Sequence, residues 1–217
     1  YPIYKLFTNA DKCDIIRKKR RGIPSAYKKG KCMKFIQAKT LKAKPTDESK
    51  LGFGKIFTDY MLTMRYKNGA WQEMQIEPYG PIEFDLATTV FHYAQGIFEG
   101  LKAFRNDKGE IRVFRPEENF KRMNRSAERM CIPQIDEKAV LEGLFELLKV
   151  EKDWIPTAPG TALYIRPSII ATNVALGVHA GSEYLFFIIL SPVGSYYAHG
   201  LTPTRLLVEG YYTRATV

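Results

Sequence analysis

The chain has 217 residues, 45% of them hydrophobic, which is ample for a globular core in one or two domains. Its net charge of +10 suggests a nucleic-acid binder until it is located: residues 1–44 hold fourteen Lys/Arg against Asp11 and Asp14, whereas residues 45–217 hold nineteen against twenty-one acids. The globular part is nearly neutral, so an arm such as Arg17-Lys18-Lys19-Arg20-Arg21 offers only non-specific phosphate contacts, and nucleic acid is not the expected partner.

Residues 1–32 have no sustained periodicity, and Met33 begins a more regular passage. Met33 is therefore the expected native start, with 1–32 either upstream sequence or a disordered extension; without them the charge is +2. Lys39 to Lys50, with Pro45, Thr46, Asp47 and Ser49, reads as an exposed linker. Ile56–Tyr66 and Trp71–Ile76 are β-rich runs flanking Asn68-Gly69, a strong hairpin signal. Val90–Tyr93 leads into a helical turn for which Gly100 is the expected C-cap. Leu101–Arg105 and Ile111–Arg115 form a second hairpin around Asn106-Asp107-Lys108-Gly109.

Pro116 opens a helix at N1, with Glu117 and Glu118 in the first turn and Phe120, Met123, Ala127 and Met130 on the buried face. A second helix follows Asp136, its expected N-cap, and carries Val140, Leu144, Leu147 and Leu148. Ala162–Ile170 and Tyr184–Leu190 are strands, the latter apolar enough for burial on both faces. Ser191-Pro192-Val193-Gly194 ends this block, and Leu206–Tyr212 begins another strand. The class is α+β, a mixed sheet with packed helices. The expected divisions are a basic extension (1–44), a small α/β domain (45–193), an interdomain loop (194–204) and the start of a larger domain (205–217).

Cys13, Cys32 and Cys131 lack metal spacing, and their odd number argues against a disulfide framework. His92, His179 and His199 are scattered, so no metal site is expected. Tyr184–Leu190, the longest apolar run, is too short to span a membrane, and no secretory signal opens the chain. These features indicate a reduced, cytoplasmic protein. No Gly-rich phosphate loop or nucleophile elbow is present.

Arg122, Arg125 and Arg129 sit at helical spacing opposite the apolar stripe. They form either a solvated face, with Glu118 pairing Arg122 at i,i+4, or an anion site suited to phosphate. Tyr164 and Arg166 alternate with Leu163 and Ile165, so phenol and guanidinium share one strand face. Among apolar neighbours Arg166 needs an anionic partner, either a structural carboxylate or a ligand's. Tyr93 and Phe98, with Gly96 and Gly100 permitting close approach, are either plain core or the wall of an apolar pocket.

Six stretches in register resemble the branched-chain amino acid aminotransferases, over roughly residues 34–217. They are residues 51–61 (Leu51-Gly52-Phe53-Gly54-Lys55 through Met61), 92–105 (His92-Tyr93-Ala94 through Phe98-Glu99-Gly100 to Arg105), Asn119-Phe120-Lys121-Arg122-Met123, Leu163-Tyr164-Ile165-Arg166-Pro167, Leu176-Gly177-Val178 and Leu190-Ser191-Pro192-Val193-Gly194. The resemblance implies a homodimeric, cytoplasmic, pyridoxal 5'-phosphate enzyme of fold type IV. It would exchange an amino group between leucine, isoleucine or valine and 2-oxoglutarate, in branched-chain amino acid biosynthesis. Carried over by residue, it gives the cofactor phosphate to Arg122 and the substrate side chain to Phe53, Tyr93, Phe98 and Tyr164. Arg166 would orient the substrate carboxylate. Leu176 and Val178 would reach across the dimer interface, and Tyr196 would help to close the pocket. The Schiff-base lysine of the family would lie beyond Val217, so no catalytic residue is assigned here and the 217 residues alone are expected to be inactive. The alternatives are another fold-type IV enzyme (a D-amino acid aminotransferase or aminodeoxychorismate lyase) and a non-catalytic binding protein that uses the basic arm.

Overall fold

One ten-stranded sheet with two helices laid on one of its faces organises the protein. The computed structural model describes residues 3–5, 33–195, 203 and 205–212. In chain order they form β1 (Ile3–Lys5), β2 (Lys34–Phe35), β3 (Tyr60–Lys67), β4 (Ala70–Trp71), β5 (Gln75–Pro78) and α1 (Thr89–Tyr93). Then come β6 (Gly96–Phe98), β7 (Leu101–Arg105), β8 (Ile111–Phe114), α2 (Pro116–Arg129), α3 (Glu137–Val150), β9 (Ala162–Ala171) and β10 (Tyr184–Val193). The sheet order is β1-β8-β7-β9-β10-β3-β5-β2, with β4 paired to β3 and β6 to β9. All pairs are antiparallel except β2 with β5.

The first hairpin turns where expected. Asn68 and Gly69 both take positive φ, 54° and 76°, the requirement of a turn whose twist matches the flanking strands. Its first strand starts at Tyr60 rather than Ile56; the Tyr60 amide itself goes to the Glu151 carboxylate, which interrupts the ladder on that side. The second hairpin, β7 with β8, also turns where expected, with Gly109 at φ 75°.

Gly100 does not cap α1. Ala94 does, in the left-handed region at φ 51°, its amide returning to the carbonyl of Val90. The helix lasts only five residues because β6 begins at Gly96 and takes up the backbone that a longer helix would need. In α2, Pro116 supplies the first turn, and Phe120, Met123 and Ala127 are buried. Met130 is 38% exposed, contrary to expectation, because it falls past the last turn as the C-cap. Asp136 caps α3 by accepting from the amide of Ala139 at 3.0 Å, and Val140, Leu144, Leu147 and Leu148 are fully buried.

The register divides the sheet into two faces. Leu62, Met64, Ala103, Val113, Leu163, Ile165, Phe186 and Ile188 point toward α2 and α3 and form one core with them. Burying each large aliphatic side chain contributes about 1.5–3 kcal/mol, so this face dominates stability. The other face carries Tyr164, Arg166, Phe187 and Ile189, all only partly buried. Lys34–Phe35, placed in the basic extension by sequence, forms an outer strand, and the ring of Phe35 lies 5.3 Å from that of Tyr60.

Leu206–Tyr212 forms no strand. Leu206, Leu207 and Val208 are 87–92% exposed and nothing described pairs their backbone, so β-propensity has no ladder to join. Among the described residues no helix is long and apolar enough to cross a membrane.

Candidate active site

Four of the residues singled out by sequence converge on the face of the sheet away from the helices. Strand alternation puts Tyr164 and Arg166 of β9 side by side there. The Tyr164 hydroxyl accepts from Nε and Nη2 of Arg166 at 3.1 and 2.8 Å. It thereby keeps its own proton to donate. The guanidinium of Arg166 also stacks 4.3 Å from the ring centre of Phe98, in cation–π range. The ring of Phe53 packs at 4.9 Å against that of Tyr164. No described carboxylate pairs with Arg166.

Phe53 arrives on a strap. Residues 39–50, expected to be an exposed linker, are tied to the domain at Lys42 and at Glu48. The amide of Lys42 donates to Asp59 at 2.6 Å, and Glu48 accepts from the amides of Thr157 and Ala158 at 2.8 and 2.7 Å. Gly194 then donates to the carbonyl of Gly52 at 3.1 Å, fixing the chain one residue before Phe53. Beneath the strap Glu151 is only 2% exposed and accepts from the amide of Tyr60. Burial pushes its carboxyl up to about 7, against the Tyr60 hydrogen bond and with help from the nearby Asp59 charge.

Gly100 has a different role from capping. A Cβ there would collide with the Tyr164 hydroxyl, so only glycine leaves that oxygen its place. Next to it, Glu99 points to the opposite face of the sheet and is 5% exposed. It holds Arg122 side-on: Nε donates to Oε1 and Nη2 to Oε2, both at 2.6 Å, and Asn119 donates to Oε2 at 2.9 Å. Burial alone would raise the Glu99 carboxyl, but Arg122 and Asn119 more than offset it and hold it below its ordinary value. Arg122 does not pair with Glu118, whose carboxylate instead meets Lys121 at 2.9 Å and Arg115 at 3.9 Å. The buried carboxylate of Glu99 outcompetes a solvated one because it is fixed and poorly screened.

Arg122 also lines an open depression of about 410 Å³ with Arg125, Arg129, Ser126, Gly96 and Ile97. Three guanidiniums against one carboxylate, with a hydroxyl beside them, fit a dianionic group such as a phosphate. The Tyr93 hydroxyl donates to the carbonyl of Leu176. Leu176 and Val178 are 67% and 85% exposed. Tyr196 lies outside the described residues.

Sequence comparison finds relatives that are well above 30% identical. The chain is 54% identical over 176 residues to branched-chain-amino-acid transaminase 1 of Bacillus subtilis (strain 168), covering 80% of this chain and 49% of that protein. It is 52% identical over 185 residues to a probable branched-chain-amino-acid aminotransferase of Staphylococcus aureus (strain N315), covering 84% and 51%. Over these residues the chain is similar to branched-chain-amino-acid aminotransferases. It spans about half the length of these curated relatives. No family profile matches it. Among solved structures, a branched-chain aminotransferase of Thermoproteus uzoniensis with norvaline aligns at a TM-score of 0.50, with 18% identity over 64% of this chain and 43% of that one. The described residues thus form an α+β fold that aligns with part of that aminotransferase's fold.

Within that aminotransferase frame, three residues carry weight that sequence reasoning did not give them. Glu99 was visible as the lone carboxylate of residues 92–105, but its partner lies 23 residues away. Asn119 sat in a quoted motif without a role. Ser191, the cross-strand neighbour of Tyr164, has a buried hydroxyl with no partner among the described residues, and nothing in its surroundings by sequence signals this.

Proposed function

We propose that the protein to which this chain belongs transfers an amino group between leucine, isoleucine or valine and 2-oxoglutarate with pyridoxal 5'-phosphate. The observation that carries this reading is an arginine with no carboxylate partner among the described residues, Arg166, set among Phe53, Phe98 and Tyr164. An amino acid with a branched aliphatic side chain needs both halves of that arrangement. Its carboxylate takes the charge of Arg166, and its side chain is desolvated against aromatic rings. Such a wall discriminates by only about 1–3 kcal/mol per methylene, so it sorts classes of side chain more sharply than leucine from isoleucine. The free proton of the Tyr164 hydroxyl gives a polar contact for the second carboxylate of glutamate in the reverse direction.

When bound, pyridoxal phosphate supplies an electron sink for the carbanion at the substrate's Cα. Arg122 would hold its phosphate, a role that the net positive, open depression around it supports. Tyr93 and Tyr196 complete the substrate pocket in this reading. Leu176 and Val178, exposed and apolar, reach into the neighbouring site of a homodimer. The cytoplasm suits a protein whose Cys131 is exposed and unpaired.

The test is an amino-transfer assay on the full-length protein with 2-oxoglutarate as acceptor. L-leucine, L-isoleucine and L-valine should all be donors and D-alanine a poor one. A preference for D-alanine would reassign the protein to another fold-type IV activity.

A further inference from the structure

Arg122 lies on an exposed helix face, its side chain 56% exposed, where an arginine ordinarily samples many rotamers. Here it does not. Glu99 grips Nε and Nη2, both at 2.6 Å, and Glu99 is itself immobilised on three sides. Its own amide donates to the carbonyl of Pro167 at 2.9 Å, which fixes it in the ladder beside β9. Asn119, one turn before Arg122 on α2, donates to Oε2 at 2.9 Å and to the carbonyl of Gly100 at 3.3 Å. Burial of the carboxylate removes water as a competing partner. Of the three guanidinium nitrogens, Nη1 alone has no partner among the described residues.

We infer that Glu99 is a positioning residue, which holds Arg122 by two of its nitrogens so that the third is presented to the phosphate of the cofactor. The inference rests on the reading of Arg122 given above and adds a residue that touches no ligand. Two effects oppose each other when Glu99 is neutralised. Losing its charge makes the depression more positive, which favours an anion. Losing its grip frees a long side chain that must then be ordered on binding. The bidentate geometry and the second tie from Asn119 make ordering the larger effect, since an exposed extra charge is screened by solvent and salt.

The experiment uses the full-length protein and two probes, pyridoxal 5'-phosphate and pyridoxal, which lacks the phosphate. Affinities are measured by spectral titration of the wild type, Glu99→Gln, Arg122→Ala and the double variant. Glu99→Gln should bind pyridoxal 5'-phosphate roughly tenfold more weakly, the lower range for groups that orient a ligand's direct contact. Its affinity for pyridoxal should be unchanged, and in the Arg122→Ala background it should have no further effect. Asn119→Ala gives a second variant with Glu99 intact, expected to show a smaller loss confined to the phosphorylated probe. Unchanged or tighter binding of pyridoxal 5'-phosphate by Glu99→Gln, while Arg122→Ala weakens it, would overturn the inference alone. Equal loss for both probes would also overturn it, since that is what a merely structural ion pair gives. If Arg122→Ala itself binds normally, the underlying reading of Arg122 fails.

Discussion

At the scale of single residues, placement of one atom decides what its neighbours can do. Gly100 is the clearest case, because the atom that its Cβ would meet is the far end of the Tyr164 side chain. In Gly100→Ala the ring can swing aside, so the unfolding free energy should fall by only about 1 kcal/mol, the low end for overpacking. The displaced hydroxyl loses both bonds from Arg166, however, and the KM for leucine in the full-length protein should rise several-fold. Thermal unfolding and steady-state kinetics together check this, and a parental KM would show that Tyr164 does not need its place. Glu151 makes a prediction about pH. Its carboxyl rises from an ordinary 4.5 to about 7 on folding, so the folded state holds the proton more tightly than the unfolded one. The stability it contributes is complete below pH 4.5 and is lost as pH climbs through 7. The rise corresponds to roughly 3 kcal/mol as an order of magnitude. Denaturant midpoints should therefore decline between pH 5 and 8, and Glu151→Gln, which keeps an acceptor for the Tyr60 amide, should flatten that decline. An identical slope in both proteins would assign the effect to another group. Residue types were legible in the sequence at this scale, but partners were not. Helical spacing offered Glu118 to Arg122 and could not offer Glu99, which reaches it across a strand and a hairpin.

At the scale of elements, local chemistry carried most of the information. Asn68-Gly69, Pro116 and Asp136 act through their own backbone dihedrals or a bond two or three residues away, and each does what its type dictates. Expectations failed where an element's fate depends on a remote partner. Leu206–Tyr212 has strand composition and no strand beside it, and α1 stops at Ala94 because β6 claims the next residues. The strap of residues 39–50 reads as an exposed linker by composition because its anchors, Asp59, Thr157 and Ala158, are elsewhere in the chain. The cap of α3 allows a quantitative check. Asp136→Ala removes the bond to the amide of Ala139 on an exposed turn and should cost about 1 kcal/mol of unfolding free energy. Leu144, fully buried on the same helix, should cost 2–5 kcal/mol as Leu144→Ala, about what a core leucine costs. If the two variants lose the same amount in denaturant titrations, the helix is not anchored through its buried face as described.

At the scale of the whole molecule, the sheet separates stability from chemistry. One face is closed by α2 and α3 and holds the apolar core; the other stays partly open and carries Tyr164, Arg166 and Phe98. The strap adds Phe53 to that open face, and the edge at β6 brings Glu99 and Arg122 to the helix side of the same stretch of chain. In the proposed function substrate and cofactor contacts fall to different arginines, which is the central claim and is separable by experiment. The direct measurement is the pair of constants, KM for L-leucine and affinity for pyridoxal 5'-phosphate, of the full-length protein carrying Arg166→Leu. Loss of one charge-assisted contact, about 1.5–3 kcal/mol, should raise the KM ten- to a hundredfold and leave cofactor affinity at the wild-type value. An unchanged KM for leucine, or a loss that falls on the cofactor instead, would contradict the account.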